Sequence, residues 1–282
     1  SNIAKLQAAA NEMGVDVRPH SKTNKSPYWV RKQISAGAIG ICCAKVGEAE
    51  VMVEAGVPEV MIPNQVIGKR KIARLVALAR SASIIVAVEA SANVDDLSEV
   101  SSAAGTELGV IVEVNVGMDR CGVDGNGAVE LAKQIDIAPG LRFDGLMGYE
   151  GHTVAERDYE TRKINAEQAM SILTGAADQI RAEGIEVKLV SAAGTGTYNI
   201  SGRVDGVTEL QCGSYIFMDG DYLEVLNDFQ PALSVMATVI SRQQENIAIA
   251  DFGLKSISVD RGIAEVISPA NAEVVVHSEE HT

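Results

Sequence analysis

Between residues 15 and 212, short β-branched runs alternate with longer amphipathic stretches, and this alternation limits the fold more than any other feature. The runs are Val15-Asp16-Val17-Arg18, Ile39 to Cys42, Val60-Met61-Ile62 and Ser83 to Val88, then Val110 to Val114, Phe143 to Met147, Val187 to Val190 and Thr208-Glu209-Leu210. Most are bounded by Gly, Pro, Asn or Asp, as buried strands are. Ile3 to Met13, Ser26 to Ala36, Val46 to Ala55, Lys69 to Ala82, Val94 to Ala104 and Val154 to Glu183 read as helices, the fifth opening beside Asn93, a capping residue type. Strand and helix in turn mean βαβ units and a parallel sheet. Eight such units predict a (β/α)8 barrel over residues 1–227, with a doubly wound open sheet as the alternative. After Pro231 the pattern changes. Pro231 to Ser241, Asn246 to Ala250 and Ala272 to Val276 read as strands without a long helix between them, which predicts a partial β domain over 228–282.

Charge and cysteine usage exclude several classes of function. Asp and Glu outnumber Lys and Arg 38 to 24, a net charge of −14, which repels nucleic acid and anionic lipid alike. No apolar run approaches the roughly 20 residues of a membrane span. Ser1 to Lys5 lacks the basic stretch and apolar run of a signal peptide. Cys42, Cys43, Cys121 and Cys212 form neither a disulfide framework nor a zinc spacing, so a reducing, cytoplasmic compartment is expected. Cys42 and Cys43 read as small buried hydrophobes.

In a (β/α)8 barrel the chemistry gathers where the strands end. The unusual polar and Gly-rich segments fall at strand ends of one polarity: Arg18 to Lys25, Pro63-Asn64-Gln65, Gly117 to Gly122, Gly148 to His152, Ser191 to Thr197 and Gln211 to Ser214. Gly194 to Thr197 with Gly213-Ser214 reads as an anion cradle, because glycines let amide N–H groups approach phosphate oxygens. Two ordinary Gly turns would look the same. Lys22 in a barrel mouth would be a partly desolvated nucleophile, although by sequence statistics Lys22 and Lys25 are solvated loop charges. Arg120 suits a phenolate or carboxylate partner, or a surface ion pair. His152 suits ring stacking or proton transfer, or a structural hydrogen bond. His20 either lines the mouth or points into the helix layer. His277, Glu279, Glu280 and His281 read as a solvated tail rather than a metal site.

Arg18-Pro19-His20-Ser21-Lys22-Thr23-Asn24-Lys25 resembles the RPHxKTHK signature of the D-threonine aldolase and eukaryotic-type D-serine dehydratase family. These are fold-type III pyridoxal phosphate enzymes related to alanine racemase. Gly117 to Gly122, Gly148 to His152, Gly194 to Thr197 and Glu209 to Tyr222 match in the same order, so the resemblance covers nearly the whole chain. It implies a cofactor-bearing barrel followed by a C-terminal β domain. Lys22 would form the Schiff base, Arg120 would lie at the cofactor's ring oxygen and His152 near its ring face. Thr195, Gly213, Ser214 and Tyr222 would hold the cofactor, mainly its phosphate. Gln211 occupies the place where racemase relatives put an arginine at the pyridine nitrogen, and a neutral residue there would leave that nitrogen unprotonated.

The activity so implied is cleavage of a D-3-hydroxy amino acid to glycine and an aldehyde by a cytoplasmic homodimer. A divalent ion (Mn, Mg or Zn) would bind the β-hydroxyl and lower its pKa. D-serine dehydration to pyruvate and ammonia shares every motif. A pyridoxal phosphate-binding homeostasis protein without strong catalysis is a third reading, against which the residues after Pro231 speak. Two departures stand out. Asn24 replaces a histidine of the signature. The family's metal-ligand motif, of PSHxC or HxD type, is not reached by Thr282, so the ligands would lie beyond it and the chain is expected to be part of a longer protein.

Overall fold

The computed structural model describes residues 1–260 and 262–282. They form two compact units, Ser1–Ile216 and Phe217–Thr282.

The first unit is the expected barrel. Its strands are β1 (Asp16–Val17), β2 (Ile41–Cys42), β3 (Glu59–Gln65), β4 (Ser83–Val88), β5 (Leu108–Glu113), β6 (Leu141–Met147), β7 (Leu189–Ala192) and β8 (Glu209–Leu210). They pair in parallel from β2 to β8, and β8 then pairs with β1. The ring closes between β1 and β2 through a bridge from His20 to Cys42 and the bonds Ile39 N–H to Val17 O and Cys42 N–H to Pro19 O. This closure excludes the open sheet.

The strand period of two sorts the side chains onto two faces. Cys42, Met61, Ile85, Ala87, Ile111 and Met147 pack together in one cluster. The alternate residues Ile41, Val60, Ile62, Ile84, Val86, Val110 and Val112 join the larger core with the helices. Those helices are α1 (Asn2–Met13), α2 (Pro27–Ser35), α3 (Val46–Glu54), α4 (Lys69–Leu78), α5 (Ser91–Ala104), α6 (Gly125–Ile137), α7 (Tyr159–Ala182) and the short α8 (Tyr198–Ser201). Helix α6 was not expected from the sequence. Helix α5 opens before Asn93, which is buried and donates to Val66 O at 3.1 Å instead of capping. Helix α7 opens at Asp158, whose side chain accepts the Thr161 N–H, so the stretch from Val154 is left as loop.

In the second unit, α9 (Gly220–Leu223) precedes an antiparallel hairpin of β9 (Val239–Gln244) and β10 (Ile247–Ala250). The long strand expected from Pro231 begins only at Val239, where Thr238 and Asp251 exchange bonds that start the ladder. Residues 272–276 pair with no strand, and Val275 and Val276 are exposed. The Ala272 N–H turns back to Pro269 O at 3.1 Å instead of joining a ladder. Among the described residues, no helix is long and apolar enough to cross a membrane.

Candidate active site at the barrel mouth

The loop after β1 turns at once into a 3-10 turn, Ser21–Thr23, which carries Lys22. His20 Nδ1 accepts the Lys22 N–H at 3.4 Å, and Ser21 Oγ donates to Cys42 O at 2.9 Å. The turn is thereby tied to the β2 end. The Lys22 side chain keeps surface open to solvent, yet desolvation and then the Arg120 charge lower its pKa. Buried His20 is pushed down to about 3, first by desolvation and then by the Lys22 charge. Lys25 is exposed and lies 3.4 Å from Glu48, so the solvated reading holds for it. Cys42 and Cys43 are fully buried, as expected.

The loop after β5 is organised by Asn115. Its Oδ1 accepts the N–H groups of Gly117 and Asp119, both at 3.1 Å, and its Nδ2 donates to Asp119 Oδ1 at 2.9 Å. Arg120 is thereby presented with its guanidinium 3.6 Å from Glu113 and over the Tyr149 ring at 5.4 Å. Glu113 also accepts from Gln65 Nε2 at 2.5 Å, and desolvation raises its pKa. Gly117 has φ 112°, and a Cβ there would stand 3.3 Å from the His152 ring, so only glycine suits this close approach. His152 itself is exposed.

The turn after β7 packs against the loop after β6. A Cβ on Gly196 would fall 1.9 Å from Val154 O, which makes this glycine a packing requirement. The Thr197 hydroxyl accepts the Gly194 N–H at 3.2 Å and donates to Glu150 at 2.7 Å, and Ser201 donates to the same oxygen at 2.6 Å. Thr195 Oγ1 accepts the Tyr215 N–H at 3.0 Å. The amide N–H groups of Thr195, Gly196, Gly213 and Ser214 find no acceptor among the described residues. Thr195 and Gly196 are buried. An unpaired buried N–H costs free energy, so this turn is built to receive an acceptor of more than one lone pair.

Among the described residues, three of the four non-glycine residues at positive φ lie in these loops: Lys25 at 44°, Asp119 at 54° and Ala193 at 72°. Such strain concentrates where a site over-determines its backbone. Lys22, Arg120, His152, Thr195, Gln211, Gly213 and Ser214 therefore all lie on the strand-end loops of one barrel face. Tyr222 belongs to α9 of the second unit, where Asp219 accepts its N–H at 2.9 Å. Sequence reasoning assigned no role to Tyr149, Glu113, Asn115, Ser191 or Glu209. The usable signals were the glutamates set among apolar strand residues, Glu113 ending β5 and Glu209 opening β8.

Glu89, Glu113 and Cys121 bring one ligand atom each within 4.8 Å of one another. Glu89 already accepts the Gly122 N–H, and Glu113 already faces Arg120 and Gln65. In this cluster the Arg120 guanidinium already faces Glu113. The tail residues His277, Glu279, Glu280 and His281 form no such group. His277 packs edge-on to Phe252 at 5.5 Å and bonds Thr282, and Glu280 pairs with Lys255.

Residues 1–221 match the family described as alanine racemase, N-terminal domain. The chain belongs to the alanine racemase N-terminal domain family. Residues 232–282 of this family member match a second description, putative serine dehydratase domain. The chain is 37% identical over 286 residues to a D-threonine aldolase of Arthrobacter sp, covering 100% of this chain and 76% of the relative. It is 36% identical over 292 residues to a 3-hydroxy-D-aspartate aldolase of Paracoccus denitrificans, covering 99% and 76%. Its fold superposes on the crystal structure of D-threonine aldolase from Filomicrobium marinum with a TM-score of 0.96 at 38% identity, covering 99% of this chain and 77% of that one.

Proposed function

We propose that the chain is a pyridoxal phosphate-dependent lyase that cleaves D-3-hydroxy amino acids to glycine and an aldehyde. One observation carries the reading: a lysine of depressed pKa shares the barrel mouth with a turn of buried amides that lack acceptors. An aldehyde-bearing phosphate ester fits both halves of that arrangement. The two aldolase relatives support the substrate class.

Lys22 would hold the cofactor's aldehyde carbon, and the amides of Thr195, Gly196, Gly213 and Ser214 its phosphate. Arg120 would bond the ring oxygen, His152 would cover the ring face, Gln211 would meet the ring nitrogen, and Tyr222 would add a further contact. Bound there, the cofactor supplies the electron sink for cleavage at Cα. The chain supplies the rest. Desolvation and then the Arg120 charge favour the free amine of Lys22, which is the nucleophilic form. His20, held neutral, adds no competing charge beside it. Glu113 and Tyr149 fix the direction of Arg120. His152, open to solvent at the mouth, would take the proton of the substrate's β-hydroxyl.

The divalent ion implied by the resemblance does not fit Glu89, Glu113 and Cys121, since Arg120 and the Gly122 amide already engage the two carboxylates. The test is incubation with D-threonine and with D-serine, with and without manganese. Glycine and acetaldehyde from D-threonine are expected. Pyruvate from D-serine without aldehyde from D-threonine would favour the dehydratase reading, which the match of residues 232–282 to a putative serine dehydratase domain supports. A Lys22→Ala variant should lose the visible absorbance of bound cofactor. A band retained in that variant would refute the role given to Lys22. Sedimentation would test the homodimer.

A further inference from the structure

A polar chain inside the barrel runs from Arg18 to Gln211, and its hydrogen-bond arithmetic fixes which end of that amide is available. The carboxylate of fully buried Glu209 accepts from Arg18 Nε with both oxygens, at 3.2 and 3.0 Å. Facing a guanidinium, it accepts and does not donate. The 2.6 Å bond between Ser191 and Glu209 therefore uses the single proton of the serine hydroxyl. Ser191 Oγ must then accept in its other bond, 2.6 Å from Gln211 Nε2. A flipped amide would set a carbonyl against a hydroxyl with no proton left. The second hydrogen of Nε2 faces Met61 Sδ at 3.8 Å. Both N–H groups are thus committed. Gln211 Oε1 accepts no bond from a described residue, and it is not among the buried polar atoms that lack a partner. It is the polar atom that Gln211 has left to offer a ligand.

We propose that Glu209, acting through Ser191, is a positioning residue that locks Gln211 with its carbonyl available to the ligand, so that the site selects a ring nitrogen carrying a proton. The inference rests on the cofactor reading above and departs from the expectation that a neutral residue leaves the nitrogen unprotonated. A carbonyl can bond only the N–H form of the ring, and a hydrogen bond made to one protonation state favours that state. Ser191 and Glu209 touch neither substrate nor cofactor in this scheme. They act only by denying Gln211 its other orientation.

The experiment loads the protein with pyridoxal phosphate labelled with heavy nitrogen in its ring and reads the ring-nitrogen resonance at neutral pH. The expected result is a protonated nitrogen in the parent. In Ser191→Ala the resonance should move toward the unprotonated position, in Ser191→Thr it should stay, and in Gln211→Met the protonated signal should be lost. Visible absorbance and a thermal melt on each sample show that the cofactor is bound and the barrel folded. An unprotonated nitrogen in the parent would overturn the proposal. So would an unchanged resonance in folded, loaded Ser191→Ala and Gln211→Met. Absence of any cofactor band in the parent would overturn the cofactor reading itself, and this inference with it.

Discussion

At the scale of single residues, the mouth concentrates positive charge and then neutralises what it can. Lys22, Arg120 and His20 interact electrostatically, and His20 yields its proton because it is the most buried of the three. The consequence is a pH dependence of stability. In the unfolded chain an ordinary histidine titrates near 6.5, whereas folded His20 stays neutral down to about 3. Between those values the unfolded state binds more protons, so stability falls as pH drops through that window, by on the order of a few kcal/mol in all. Above pH 6.5 the contribution is complete and flat. Denaturant midpoints of the parent and of His20→Asn, followed from pH 7 to about pH 4, should diverge at neutral pH and converge on acidification. Parallel curves would show that His20 is not the group responsible. Lys22 and Arg120 were legible in the sequence because their types are conspicuous beside strand ends. Glu209, Ser191 and Asn115 were not, because their importance lies in which atom each has left to give, and that depends on partners far away in the chain.

At the scale of elements, apolar runs announced the strands, and helices with a regular apolar stripe announced themselves too. Helix α6 escaped because it opens Gly125-Asn126-Gly127, residue types that weaken a helix, right after the Gly-rich Arg120 loop. What starts it is Asp124, whose side chain accepts the Gly127 N–H at 2.8 Å. Its burial of Ala128, Val129, Leu131, Ala132 and Ile135 then holds it against the sheet. Asp124→Ala should cost about 1 kcal/mol, read as a lower denaturant midpoint with an unchanged slope. Because Asp124 closely follows the Arg120 loop, the same variant should also weaken cofactor binding. Asp124→Ser, another capping type, should restore both, and failure of that rescue would mean that the charge matters rather than the cap. In the second unit the sequence misled in the opposite direction. Apolar alternation from Pro231 looked like strand, but Pro231 has no N–H to give a ladder, and pairing begins only where Thr238 meets Asp251.

At the scale of the whole barrel, the weakest part is the seam. Strands β1, β2 and β8 have two residues each, while β3 to β6 have six or seven. Few ladder bonds hold the ring where it closes, and side chains make up the difference. Arg18, almost wholly buried, pairs with Glu209 on β8 and lies 2.5 Å from Glu59 on β3, so one guanidinium ties three strands around the seam. Burial opposes its charge, but the carboxylates of Glu209 and Glu59 outweigh that, and its pKa is raised. Such a pair adds little over a well-packed apolar replacement of both partners, yet removing one partner strands the other. Arg18→Met should therefore cost about 3–5 kcal/mol, by leaving Glu209 buried without its cation. Arg18→Met combined with Glu209→Gln should cost clearly less than the sum of the two single changes, since the residues are in contact. Urea unfolding of the four proteins measures both numbers. If Arg18→Met were as stable as the parent, backbone bonds alone would be closing the ring, and the short strands would need another explanation. The same residues that close the barrel begin the hydrogen-bond chain that ends at Gln211. A loss of stability in Arg18→Met accompanied by a changed ring-nitrogen signal would therefore mean that the fold's weakest joint and the orientation of its ligand site are held by one buried charge.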